Sequence, residues 1–92
     1  MASNFQVDVI RRDPSSLYVR IIGDLDGASA YRLLNLIEKD KRRFRKITID
    51  TNALRKVHAF GSDILGTNMR GLKNSGVDIV FIGRFKKSFV SE

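Results

Sequence analysis

Three stretches, 23–27, 51–61 and 83–87, hold the side chains with the most chemical capacity: Asp24, Asp26, Arg55, Lys56, His58, Arg84, Lys86 and Lys87. Beside a carboxylate, His58 would serve as a general base. Asp24 and Asp26 are hard oxygen donors of the kind a divalent cation takes. Neither chemistry finds support around it. The chain has one His and no Cys, which excludes a His cluster, a thiolate metal site and a disulfide framework. No Ser-His-Asp spacing and no Gly-rich phosphate loop is present. These residues therefore point to binding rather than catalysis, with no enzyme activity and no cofactor expected. Ser62 stands near the first turn of an expected helix, where the helix dipole would favour a phosphate dianion. A Ser there is also a good cap, and capping is the role expected of it.

The elements that must position these loops follow from hydrophobic period. Phe5, Val7 and Val9 alternate with Gln6 and Asp8, so 5–10 reads as a half-buried strand. Asp13-Pro14-Ser15-Ser16 is a turn, and 17–22 a second strand, with Leu17, Val19 and Ile21 facing one way and Tyr18 and Arg20 the other. Gly23-Asp24-Leu25-Asp26 ends that strand, and Asp26 is the expected N-cap of a helix. In that helix Ala30, Leu33, Leu34 and Ile37 form one apolar stripe. Residues 46–50 read as a third strand, 51–56 as a polar loop, and a second helix is expected to begin just after Gly61. Ile64, Leu65, Met69 and Leu72 are its apolar face, and Gly76 its left-handed cap. Residues 77–82 are almost continuously apolar, as for a strand that lies centrally or is covered on both faces. Phe85 and Phe89, four apart, suggest a short helix packing back. Ile47, Ile49, Leu65, Leu72, Val80 and Ile82 are the expected core.

This order is ββαβαβ: an α/β fold, with a small mixed and mostly parallel sheet and its helices packed mainly on one face. The loops after the strands then meet at the carboxyl edge, where open parallel sheets usually bind ligands and partners.

Two segments carry a family resemblance. The run Val57-His58-Ala59-Phe60-Gly61-Ser62, between a strand and an apolar helix, resembles the signature segment of STAS domains, the bacterial anti-sigma factor antagonists. In that family the strand ends in Asp-Ser-Ser-Gly or Asp-Ser-Ala-Gly, and the first Ser is the phosphoacceptor. Gly61 is kept here, while His58 and Ala59 stand in place of the Asp and the phosphorylatable Ser. Gly23-Asp24-Leu25-Asp26 is similar to the family's Gly-Glu-Leu-Asp segment, also ahead of the first helix. The resemblance covers roughly residues 5 to 90 and implies a single STAS-like domain over 1–92, with a short or missing C-terminal helix. It implies a non-enzymatic regulatory module whose partner is an anti-sigma factor or a serine-kinase-like protein. The implied partner-binding residues are Asp24, Asp26, Arg55, Lys56, His58, Ala59, Phe60, Gly61 and Ser62. With Ala59 at the acceptor position, phosphorylation there is absent. Another role known in the family, a cytosolic subunit or accessory domain of a membrane transport system, stays open.

Charge adds a further reading. Lys and Arg outnumber Asp and Glu by 17 to 10, a formal +7, which suits an acidic protein, nucleic acid or an anionic lipid surface. The densest run, Lys39-Asp-Lys-Arg-Arg-Phe-Arg-Lys46, has a single aromatic. It reads as a solvated linker at the amino edge rather than a nucleic-acid groove. No apolar run approaches a membrane span, and the first ten residues place no basic region before an apolar one, so a cytoplasmic location is expected.

Overall fold

A computed structural model describes residues 4–89, apart from the side chain of Arg70. Strand β1 (Gln6–Arg12) pairs antiparallel with β2 (Ser16–Leu25), and helix α1 (Gly27–Asp40) leads to β3 (Lys46–Asp50). Strand β4 (Leu54–Val57), helix α2 (Ala59–Asn74) and β5 (Asp78–Ile82) follow, and a 3-10 turn (Lys86–Ser88) ends the described chain. The sheet order is β1-β2-β3-β5, with β4 also on β2; all pairings except β1–β2 are parallel. The expected α/β class holds, with one strand more than expected. Whether the chain continues as a helix beyond Phe89 lies outside the described residues.

The alternating face is what makes the core. Leu17 and Val19 pair with Ile47 and Ile49, which pair in turn with Ile79 and Phe81. All six are buried on one face, together with the α1 stripe and with Leu65, Met69 and Leu72 of α2. A fully buried aliphatic side chain contributes about 1.5–3 kcal/mol, so this face holds both helices to the sheet. Asp26 caps α1 as expected: its Oδ1 accepts from the Ser29 amide at 2.8 Å. Gly76 closes α2 with φ 98°, a conformation that costs an L side chain about 1–2 kcal/mol.

Four expectations need correction. First, 51–56 is not wholly a loop, since Leu54–Val57 is a strand beside the second half of β2, with Gly23 opposite Leu54 and Leu25 opposite Val57. β2 is ten residues long; β3 covers its first half, and β4 its second. Burying Leu54 drives this pairing, while Arg55 and Lys56 stay in solvent. Second, β5 is the last strand of the sheet path rather than a central one. Third, Val80 and Ile82 are consequently not core. They point to the uncovered face, half-buried, opposite Thr48 and Asp50 of β3. Fourth, Val9 is 51% exposed because the register slips between Val9 and Arg11 and β1 forms the other sheet edge.

The uncovered face has its own polar lock. Asp50, 4% exposed, accepts from the Tyr18 hydroxyl at 3.4 Å and lies 3.5 Å from Arg20 Nε. Its other oxygen accepts from the Asn52 amide at 2.8 Å, which turns the chain out of β3. No helix among the described residues is long and apolar enough to cross a membrane.

Candidate functional site

The three chemically capable loops do meet at the carboxyl edge. Thr51 is the pin between two of them. Its buried hydroxyl donates to the Ile82 carbonyl at 2.7 Å and accepts from the Phe85 amide at 3.1 Å. Asn52 Oδ1 accepts from the Arg84 amide at 3.0 Å. The Arg84 guanidinium donates to the Leu54 carbonyl and sits 4.9 Å from the Phe85 ring centroid. Arg84 therefore belongs to the scaffold of the edge.

Asp24 and Arg55 form a charged contact at the edge. Arg55 Nε donates to Oδ1 at 2.9 Å and a terminal nitrogen to Oδ2 at 2.6 Å, a bidentate fork. The fork holds the Asp24 carboxyl below its ordinary range and raises the Arg55 guanidinium above its own, each through the hydrogen bonds of the other. The strand that sequence reasoning missed, β4, is what brings Arg55 to Asp24. The Asp24 amide is held by Asn4 Oδ1 at 3.2 Å. Asp26 is occupied as the α1 cap, and no cluster of metal-ligating side chains occurs among the described residues. Lys56 is exposed beside the fork.

The start of α2 differs from expectation. The helix begins at Ala59, with His58 as its N-cap and no side-chain cap bond. The His58 amide donates to the Leu25 carbonyl at 2.9 Å, which fixes where the helix starts. Ser62 therefore lies inside the first turn and is not a cap. Its hydroxyl donates to the Ala59 carbonyl at 3.0 Å. Gly61 is buried against the β2–α1 junction. A Cβ on it would stand 2.8 Å from both the Leu25 and Asp26 carbonyl oxygens, so only glycine lets the two elements approach this closely. Ala59 is exposed at the first helical position. Phe60 is 67% exposed, with one edge of its ring over Gly27, where a Cβ would come within 2.6 Å of Cδ2.

The edge thus carries an exposed aromatic ring at a helix N-terminus, the Asp24–Arg55 fork and an exposed lysine, Lys56. His58 is half-buried at the helix start, close enough to Asp24 to act on its carboxyl electrostatically.

No protein-family model matches this sequence, and no curated protein does. Similarity appears among solved structures. The anti-sigma factor antagonist STAS domain from Rhodobacter sphaeroides is 18% identical over all of this chain and 97% of its own, with a TM-score of 0.70. The anti-sigma factor antagonist SpoIIAA in its unphosphorylated form is 16% identical over 87% of this chain and 73% of its own, TM-score 0.66. Mglu aligns at TM-score 0.71 with 14% identity, over 80% of this chain but only 19% of Mglu. At such identities what is shared is the backbone arrangement, and that arrangement is decisive: this chain has a STAS-like fold, and the two segments that resembled STAS signatures lie side by side at its carboxyl edge.

Proposed function

We propose that the protein is a partner-binding regulatory module that acts by sequestration, in the manner of the anti-sigma factor antagonists whose fold it shares. The observation that carries this reading is the exposed Phe60 at the first turn of α2, on the edge that also carries Lys56 and the Asp24–Arg55 fork. An aromatic anchor within a polar, charged rim is the usual anatomy of an energetically concentrated protein interface. Ala59, at the position matching the family's phosphoacceptor, has no hydroxyl. Thr51 is buried with its hydroxyl engaged, so it is no substitute acceptor. A phosphate would bring about −1.5 to −2 charge into such an interface and eject the partner. Without it, binding is constitutive or is released by other means. The partner is a protein of the anti-sigma factor or serine-kinase type.

Affinity purification from the native cell tests this. Phe60→Ala, and separately the charge reversal of Arg55 and Lys56, should lose the partner while the protein stays folded. The reversal of Arg42 and Arg43 at the opposite edge should retain it. Loss only with the Arg42/Arg43 variant would move the interface to the other end of the sheet.

A further inference from the structure

At the amino edge, opposite the candidate interface, Pro14, Ser15, Arg42, Phe44, Arg45 and Gly76 help line an open cavity of about 590 Å³. That size suits a small ligand. The three chain segments that meet there, 11–16, 38–46 and 73–78, carry nine Lys/Arg and four Asp/Glu, a net +5 of the +7 of the whole chain. The carboxyl-edge segments 23–27, 51–63 and 83–88 carry five and three, a net +2. The positive charge that reads as diffuse along the sequence is concentrated on one end of the fold.

Structural roles absorb part of this charge. Lys39 and Lys73 lie in the last turns of α1 and α2, where cations offset the helix dipoles. Lys41 pairs with Glu38 at 2.9 Å. Arg12 and Arg43 lie 5.8 and 6.0 Å from the Phe44 ring centroid. Four remain, and Arg11 and Lys46 do not line this cavity; the other two, Arg42 and Arg45, do line it, both are exposed, and neither has an ion pair among the described residues. The amides of Phe44, Arg45 and Gly76 are already committed to backbone carbonyls, so the attraction for a ligand comes from side chains. Phe44 is 5% exposed and offers no face for stacking a base.

We propose that this cavity binds phosphate groups, with the guanidinium forks of Arg42 and Arg45 as the ligating pair. Guanidinium planes suit phosphate oxygens bidentately. A concave site without an aromatic platform selects a compact phosphomonoester or condensed phosphate over a single-stranded nucleic acid. The ligand is either a soluble phosphate compound or a phosphorylated lipid headgroup; both offer the same group.

The experiment titrates the full chain with tripolyphosphate at low salt, following amide NMR shifts and the dissociation constant. The expected result is shifts centred on Arg42, Phe44, Arg45 and Gly76. Arg42→Ala with Arg45→Ala should weaken binding about tenfold or more, equivalent to about 1.4 kcal/mol. Lys86→Ala with Lys87→Ala removes the same charge elsewhere and should leave it within about twofold. A parallel arm uses phosphatidylcholine vesicles with and without phosphatidylinositol 4-phosphate. Binding to these vesicles alone, lost in the Arg42/Arg45 variant, upholds the site and assigns the lipid source. Equal weakening by both variants would overturn the proposal, as would tighter binding of a thymidine oligonucleotide than of tripolyphosphate, or no binding to any phosphate probe.

Discussion

The two ends of the sheet use the same residue types in opposite ways. At the carboxyl edge the arginines are tied down: Arg55 is forked to Asp24 and Arg84 to the Leu54 carbonyl. At the amino edge Arg42 and Arg45 project without ion pairs among the described residues, although far more charge is gathered there. Charge density alone therefore says little about function. At one end cations fix the shape of an edge whose distinguishing group is an exposed aromatic ring. At the other they are surplus to the fold and available to a ligand.

Helix α2 spans both ends, so its core anchor should affect both alike. Leu65, fully buried at the middle of the sheet-facing side, sets the largest expected effect. Leu65→Ala should cost about 2–5 kcal/mol in denaturant titration. Amide protection should fall at both termini of α2; loss at one end only would mean the two edges are held independently.

Two glycines, Gly61 inside that helix and Gly76 just past its end, separate the edges. Gly61→Ala drives a Cβ into backbone carbonyls that cannot rotate away. A loss near the upper end of the overpacking range, about 3 kcal/mol, is expected, with local melting of the α2 start. Gly76→Ala meets nothing within 4 Å and bears only the strain of its positive φ. About 1 kcal/mol is expected there. Equal costs, measured by the same titration, would show that the close packing of the carboxyl edge is unimportant.

How much of this was legible in the sequence depended on whether one side chain or two distant ones made the feature. The α1 stripe and the Asp26 cap are local patterns, and both appear as expected. β4 hid because its interior is Arg55-Lys56 and only its ends are apolar; a four-residue strand needs its neighbour to be recognised. The α2 start was displaced because His58-Ala59-Phe60 carries no capping signal, the helix being positioned instead by the His58 amide on the Leu25 carbonyl. Val80 and Ile82 misled because an apolar residue on an uncovered sheet face looks the same in sequence as one in the core. The Asp24–Arg55 fork joins residues 31 apart in sequence, and only the register of β4 on β2 brings them together.

Smaller effects probe how tightly the carboxyl edge is built. Asp26→Ala should remove the α1 cap and cost about 1 kcal/mol, read as a lowered midpoint with unchanged denaturant slope. Ser29, one turn along, has the opposite sign. Its hydroxyl is fully buried and has no hydrogen-bond partner among the described residues. Ser29→Ala removes a desolvated polar group and should stabilise by up to about 1 kcal/mol. A destabilised Ser29→Ala would reveal a partner for that hydroxyl.

The smallest effect is on a titration rather than on stability, and it tests the contrast between tied and surplus cations most directly. The Asp24 carboxyl is lowered from 3.8, first by its hydrogen bonds with Arg55. A depressed folded-state value means that the fork's contribution is complete above the unfolded value. It is lost as pH falls through the folded one, so its window lies below about pH 4. Both groups are in contact with solvent, so salt screens the pair and the stability change is small. Carboxyl-carbon NMR should place the Asp24 midpoint below the ordinary Asp range. Arg55→Ala should move Asp24 upward toward the ordinary Asp range, and Arg45→Ala should leave it where it is. An Asp24 midpoint indifferent to Arg55 would mean that the fork does not persist in solution. Arg55 would then count with Arg42 and Arg45 as unpaired, and the distinction between the two edges would reduce to Phe60 alone.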